Sequence, residues 1–477
     1  MSKPTLYFYD LETSGINSRT ARIMQFAGQR TDMDLSPVGE QDNILVKLSA
    51  DVLPEPDAVM VHGITPQKTL SDGITEAELA KYLTSQVFTP GTIAVGYNNI
   101  RFDDEFIRFL FWRNFTDPYE WQWKDGRGKW DTLDIVRITR ALRPEGLEWP
   151  FASDGRPSNR LEDMAAINKL VHTSAHDAGS DVEAVLQLTK ILRAKQPKIF
   201  NYLLNIKDKE KVAALVGKGD PFVYTSGRYP AEYEKTTVAL SLGAVPERGA
   251  ALVYDLRIDP SGFVTLSAEE LASLWKQRGK DAPYFPVKEI KFNRCPAIAP
   301  TSVLDGASAS RLKIDTKKID ANLAKLRKAE DFADKLLRAR ELVMPTTQAE
   351  AITDPQKVDS QLYDGFVGNG DRSKMSVVRA ADASELAGLH LDFADNRLSA
   401  LLPLFKARNF PKSLDEQETD NWHGFIKTKL MSEGTQSLAT KYFTRISELM
   451  KDNKDPEKKY LLEELQLYGE AVVPFEA

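Results

Sequence analysis

Asp10 and Glu12 end the segment Thr5-Leu-Tyr-Phe-Tyr-Asp-Leu-Glu12, whose β-forming residues alternate. Side chains two apart share one face of a strand, so both carboxylates project on the side of Leu6 and Phe8. Two like charges beside apolar neighbours are costly unless cations or donors neutralise them, which makes this strand end a natural seat for a divalent metal. A strand end reaching solvent would look the same, since Asp-x-Glu alone is common.

Two further acidic positions remove that ambiguity. Asp103 follows the apolar run Ile93-Ala-Val-Gly-Tyr97, and the spacing of Phe102, Phe106, Phe109 and Leu110 predicts an amphipathic helix after it. Asp103 thus sits at a strand-to-helix junction, with Asn99 and Phe102 setting it apart. Asp104 and Glu105 are expected to be partners of the helix dipole only. Asp181 opens a predicted helix running to about Leu192, where Asp181, Val185, Leu188 and Leu192 recur at i, i+4, i+7 and i+11. A carboxylate leading a core-facing stripe implies a paired or metal-bound acid. His176 is placed on a preceding loop containing Gly179, free to swing toward that acid.

Four carboxylates brought together from two strand ends and two helix starts would suit two Mg²⁺ ions about 3.5–4 Å apart, with Mn²⁺ able to substitute. The chemistry expected is phosphodiester hydrolysis. His176 would remove the proton of a water acidified by one ion, while the other ion would stabilise the departing 3′ oxygen.

With these residues in view, the chain resembles the DEDD family of 3′→5′ exonucleases, in the subclass with a histidine five positions before the last aspartate. Asp10, Glu12, Asp103, His176 and Asp181 match its motifs one by one. It resembles the bacterial exonuclease I family more closely, through Tyr97-Asn-Asn-Ile-Arg-Phe-Asp-Asp-Glu105, Arg113-Asn-Phe-Thr-Asp-Pro-Tyr119, Ala141-Leu-Arg-Pro-Glu-Gly146 and Ser174-Ala-His-Asp-Ala178. Lys291-Phe-Asn-Arg-Cys-Pro296, Gln361-Leu-Tyr-Asp-Gly-Phe366 and Lys406-Ala-Arg-Asn-Phe-Pro411 extend the resemblance over nearly the whole chain.

The resemblance implies an exodeoxyribonuclease that removes 5′-mononucleotides from the 3′ end of single-stranded DNA in repair and recombination. A proofreading or RNA-trimming exonuclease would use the same five residues, but those smaller relatives lack the later segments. A non-catalytic nucleic-acid-binding module would gain nothing from all five groups. Arg108 and Arg160 match positions associated with the DNA strand. The resemblance also implies a partner, the acidic Phe-ended tail of single-stranded DNA-binding protein, for which Arg143, Tyr202 and Arg311 match the pocket.

The residues suggest further strand contacts. Tyr119, Trp121 and Trp123 cluster after the Asp103 helix, and exposed aromatics there would stack on bases for about 1–3 kcal/mol each. The same alternation suits a half-buried strand. Arg137, Arg140 and Arg143 recur every three residues and predict a cationic edge along phosphates, although such rows are ordinarily solvated faces.

The elements that must position these residues read as α/β for 1–195, with strands near Thr5–Asp10, Ile23–Thr31, Asn43–Leu48 and Thr92–Tyr97. The family resemblance supplies a ribonuclease-H-like mixed sheet for this exonuclease domain. Residues 196–345 turn β-rich, as in Thr237-Val-Ala-Leu-Ser-Leu242, and predict a small SH3-like β-barrel with flanking helices. Met344 to Pro355 reads as a linker, and 356–477 as a helical C-terminal domain. At 477 residues and about 150 per domain, several domains are expected.

Composition adds exclusions. One cysteine, Cys295, leaves no internal disulfide, and with five histidines it offers no zinc-ligand spacing. No run reaches the roughly 18 apolar residues of a membrane span, and no basic-then-apolar leader precedes the first strand, so a cytoplasmic monomer is expected. The net charge of -6 runs against a general polyanion binder, so any cationic track must be local.

Overall fold

The computed structural model describes residues 3–172, 176–277, 282–344, 354–432 and 434–474. Its first sheet contains β1 (Thr5–Thr13), β2 (Ile23–Thr31), β3 (Asp42–Leu45), β4 (Thr92–Gly96) and β5 (Gly128–Asp131), in the order β3-β2-β1-β4-β5. β1 pairs antiparallel with β2 and parallel with β4, and β4 is parallel to β5. The short β5, Gly-Lys-Trp-Asp, carries no alternating pattern and was absent from the sequence expectation.

Alternation along β1 divides the core. Leu6 and Phe8 pack with Val182, Val185 and Leu188 of helix Ala178–Lys195, while Tyr7, Tyr9 and Leu11 pack with Phe106, Ile107 and Leu110 of helix Asp103–Arg113. One face of β1 therefore points Asp10 and Glu12 toward the helix bearing Asp181, and the other is covered by the helix bearing Asp103. At the end of β4, Gly96 is needed because a Cβ there would lie 2.7 Å from the Asn99 Cβ and 3.0 Å from the Tyr9 carbonyl oxygen. The following turn is held by the Asp131 carboxylate, which accepts from the Asn98 N–H at 2.9 Å and the Leu133 N–H at 3.0 Å. A single side chain thus ties the turn before Asp103 to the start of helix Thr132–Leu142.

A second five-stranded sheet, antiparallel throughout, contains β6 (Phe222–Thr225), β7 (Thr236–Val245), β8 (Ala250–Asp255), β9 (Val287–Lys291) and β10 (Ala297–Pro300). Phe222, Val223 and Ile298 of this sheet join the same apolar core as Leu6 and Val185, so the two sheet-bearing regions share buried contacts. Its other side is covered by helices Ala268–Lys276, Thr316–Lys328 and Phe332–Val343.

The C-terminal region is helical and packs on Phe109, Trp112 and Phe115, at and just beyond the Asp103 helix. A buried ionic network crosses this contact. Arg408 donates to Asp51 at 2.7 Å and Asp359 at 2.8 Å, Arg22 donates to Asp359 at 2.6 Å, Arg113 to Glu76 at 2.6 Å, and Lys429 to Asp51 at 2.5 Å. Among the described residues no helix is long and apolar enough to cross a membrane.

Candidate active site

The structure brings Asp10, Glu12 and Asp181 together, with one carboxylate oxygen of each lying within 4.8 Å of the others. Asp103 flanks this trio. After burial, its negative charge is the largest influence raising the Asp10 pKa, ahead of Asp181, Glu12 and Asp177. Burial, then Asp181 and Asp103, pushes Glu12 up to about 8. Asp103 also rises to about 8 through burial, although backbone N–H groups, including that of Leu11, partly stabilise its charged form. Asp181 is raised by burial despite the opposing pull of His172 and His176.

Among the described residues no lysine or arginine is paired with Asp10, Glu12, Asp103 or Asp181. Four acids without a cation carry an electrostatic deficit that a hard divalent ion would remove, and their all-oxygen donor set fits Mg²⁺ or Mn²⁺ better than a softer metal.

His176 is exposed and adopts a left-handed φ of 64°, facing both Asp181 and His62. The helix begins at Ala178, three residues ahead of Asp181, because Asp177 caps it by accepting from the Ser180 N–H at 3.0 Å. Gly179 consequently lies within the first turn and belongs to no loop. Ser174 and Ala175 of the quoted motif lie outside the described residues.

His172, unremarked in the sequence, places Nε2 2.5 Å from an Asp181 oxygen. No spacing distinguished it, because the eight residues between it and Asp181 show no regular period in the sequence.

Asp104 and Glu105 differ from the expectation that they serve only the helix dipole. Asp104 is fully buried and accepts from Tyr9 at 2.6 Å, Asn99 at 3.2 Å and Gln122 at 2.5 Å, bracing the turn behind Asp103. Glu105 accepts from Arg108 at 2.9 Å, Arg294 at 3.0 Å and the Tyr363 hydroxyl. The missed signal was the tyrosine at position 9, whose hydroxyl requires a partner once buried.

One cleft adjoins the carboxylates, and a second opens beside Arg108 of the Asp103 helix. The first, of about 570 Å³, is lined by Asp10, Asp181, Arg137, Arg156, Arg160 and Lys235. The second, of about 620 Å³, is lined by Arg108, Tyr119, Trp123, Lys129, Lys207 and Cys295. Arg108 donates to Gln122 at 2.6 Å and stands 5.7 Å above the Tyr119 ring. Trp123 is 65% exposed, whereas Trp121 is buried against Phe88 and Phe111. The segment forms 3₁₀ turns, so these aromatics do not alternate as on a strand.

The predicted row of arginines is also uneven. Arg137 pairs with Asp134 at 2.9 Å, while Arg140 is buried and donates to the Pro150 and Ser158 carbonyls. A cationic edge shared by 137, 140 and 143 is therefore corrected, because carbonyls of the chain beyond the helix, Pro150 and Ser158, take up the middle guanidinium. Arg160 is exposed and pairs with Glu162.

At the far end of that helix, Arg143 and Arg311 both donate to the Leu142 carbonyl, at 2.6 and 3.4 Å. The Tyr202 hydroxyl is buried without a hydrogen-bond partner.

Family models match all three regions: the exonuclease domain over residues 7–189, the exonuclease I SH3-like domain over 207–339 and the exonuclease I C-terminal domain over 356–472. The chain belongs to the exonuclease I family. It is 37% identical to exodeoxyribonuclease I of Haemophilus influenzae and 36% identical to that of Escherichia coli, with 98% of each chain covered in both comparisons. Escherichia coli exonuclease I in complex with a dA16 oligonucleotide superposes with a TM-score of 0.91 at 35% identity, covering 98% of this chain and 100% of that one. The zinc-bound form of its single-stranded DNA complex gives 0.91 at 34% identity, and an SSB/exonuclease I structure with an inhibitor gives 0.89 at 35%, each covering 99% of this chain and 100% of the other. Membership makes this chain a nuclease, a hydrolase with a ribonuclease-H-like exonuclease domain, an SH3-like domain and a helical C-terminal region.

Proposed function

We propose that the protein removes 5′-mononucleotides from the 3′ end of single-stranded DNA, using two Mg²⁺ ions at Asp10, Glu12, Asp103 and Asp181. The observation carrying this reading is the gathering of the first, second and fourth of these acids within 4.8 Å beside the third, with no lysine or arginine paired to them among the described residues. When bound, the ions supply a water acidic enough to ionise near neutrality and neutralise charge on the leaving oxygen.

The chain's own groups then have separate tasks. His176, exposed at the rim, accepts the proton of the attacking water, while His172 holds the Asp181 carboxylate in orientation. Asp104 fixes the turn that presents Asp103. The strand enters along Arg108, Tyr119 and Trp123, with the exposed indole offering a stacking surface, and Arg137 and Arg160 meet phosphates nearer the carboxylates.

Single-stranded DNA and single-stranded DNA-binding protein are the partners this reading assigns. The latter's acidic tail would meet the forked guanidinium groups of Arg143 and Arg311, with Tyr202 beside them. The enzyme would serve DNA repair and recombination in the cytoplasm as a monomer.

End-labelled single-stranded DNA, duplex DNA and RNA incubated with Mg²⁺ test this function. Early release of a 3′ label from single-stranded DNA is expected. Early release of a 5′ label, or equal loss from RNA, would contradict it.

A further inference from the structure

Lys235 contributes a positive charge from the SH3-like region to the 570 Å³ cleft that Asp10 and Asp181 also line. It follows Glu234, and both adopt left-handed backbone conformations, with φ of 47° and 58°. Such consecutive non-glycine residues are strained, and here the strain coincides with a division of their side chains. Glu234 pairs with Arg140 at 3.0 Å, whereas Lys235 turns into the cleft and has no acidic partner among the described residues.

Its neighbours are cations. Burial, then Arg137 and Arg156, lowers the Lys235 pKa. Arg137 is tucked beneath Gly227, where a Cβ would stand 3.1 Å from its guanidinium, and its buried Nε has no hydrogen-bond partner. Arg137 and Arg156 spend one edge on Asp134 and Asp154, but Lys235 leaves a whole ammonium uncompensated. Asp10, Glu162 and Asp181 line the same cleft, but the cations gathered around Lys235 attract an anion of matching charge density to their part of it.

We propose that Lys235, with Arg137 and Arg156, binds the phosphate of the released 5′-mononucleotide as it leaves the carboxylate centre. This assignment rests on the exonuclease reading for the identity of the product. A phosphate monoester carries about -1.5 to -2 charges near neutrality, more than a backbone phosphodiester, and suits a site with an unpaired ammonium and two partly engaged guanidinium groups. The cleft also joins the acidic centre directly, so a phosphate cleaved at the strand end assigned to Arg137 and Arg160 is already beside Lys235.

The test measures dTMP binding to the full chain in EDTA by calorimetry, beside binding of a short single-stranded oligonucleotide over a KCl series. Lys235→Ala should weaken dTMP binding about tenfold while Lys235→Arg retains it, the scale of one lost charge-assisted hydrogen bond. Lys235→Gln provides the same neutralisation should the alanine variant melt early. Unchanged dTMP binding in the neutral variants would overturn the proposal, as would weakened oligonucleotide binding and a shallower salt slope with dTMP unaffected, which would make Lys235 a strand contact. Metal-dependent hydrolysis by the unmodified protein is measured in parallel, so failure of the exonuclease reading would be visible separately.

Discussion

Asp10 is half-buried at the edge of a cleft and Asp51 is fully buried, and the structure shifts their pKa values in opposite directions. Burial and four neighbouring acids raise Asp10. At Asp51 burial pulls the same way, but Arg408, Lys429 and Arg22 overcome it and hold the carboxyl well below its usual range. Glu76 and Asp359 follow Asp51, the former through Arg113 and Arg22 and the latter chiefly through Arg408 and Arg22. The two clusters show what burial of a carboxylate means by itself: very little until its counter-charges are counted. The interdomain network carries its own cations and therefore holds two parts of the chain together. The carboxylate centre lacks them and is suited to importing its positive charge.

The largest effect should come from the centre that lacks cations. Asp10→Ala or Asp181→Ala should reduce metal-dependent hydrolysis by on the order of a thousandfold, because a bound ion contributes several kcal/mol to the transition state and each 1.4 kcal/mol is tenfold. The melting temperature of metal-free Asp10→Ala should match or exceed the parent's, since a crowded like charge has gone. Mg²⁺ should raise the parent's melting temperature but not the variant's. Retained turnover in either variant would break the contrast.

The opposite response is expected across the network. Removing one partner of a buried ion pair typically costs about 3–5 kcal/mol, so Asp359→Ala and Arg408→Ala should each lower stability by that order in urea unfolding. Loss of Asp359 would remove the acid shared by Arg408 and Arg22, leaving them Asp51 and Glu76, and a melting temperature equal to the parent's would show that the network contributes little.

Acid sharpens this difference. The folded pKa values of Asp51, Glu76 and Asp359 lie below their unfolded values, so their stabilisation is complete above about pH 4 and is lost as pH falls through the folded values. The unfolded chain then binds protons that the folded network refuses. Urea midpoints should fall steeply below about pH 4, and Asp359→Asn should flatten that dependence. Equal slopes in parent and variant would remove Asp359 from the titrating set.

The sequence displayed these clusters unequally. Asp10, Glu12, Asp103 and Asp181 were legible because each sits where a strand or helix period meets a charge, so local geometry already aimed them. The stripe Val185, Leu188 and Leu192 is buried as its spacing required. Asp51, Asp359 and Arg408 gave no comparable signal, since their partners lie more than 300 residues apart in the chain or on different elements. Asp104 was obscured for another reason. An acid in a first helical turn is usually satisfied by the dipole, and only the fold brings Tyr9 and Gln122 to it. The ribonuclease-H-like expectation came from resemblance, while β5 escaped because four residues ending at a helix cap are too short to show a period.

The smallest expected effect belongs to the exposed rim, where neither burial nor crowding amplifies a charge. Arg160 is 70% exposed on its side chain and already paired with Glu162, so solvent and salt screen much of its attraction for phosphate. Arg160→Ala should raise KM for single-stranded DNA a few-fold and reduce the salt slope of binding by about 1, the loss of one phosphate contact. The melting temperature should remain that of the parent. An unchanged KM across a KCl series would place Arg160 off the strand's path and leave Arg137, held by Asp134 and largely buried, as the cation that meets the phosphates in that cleft.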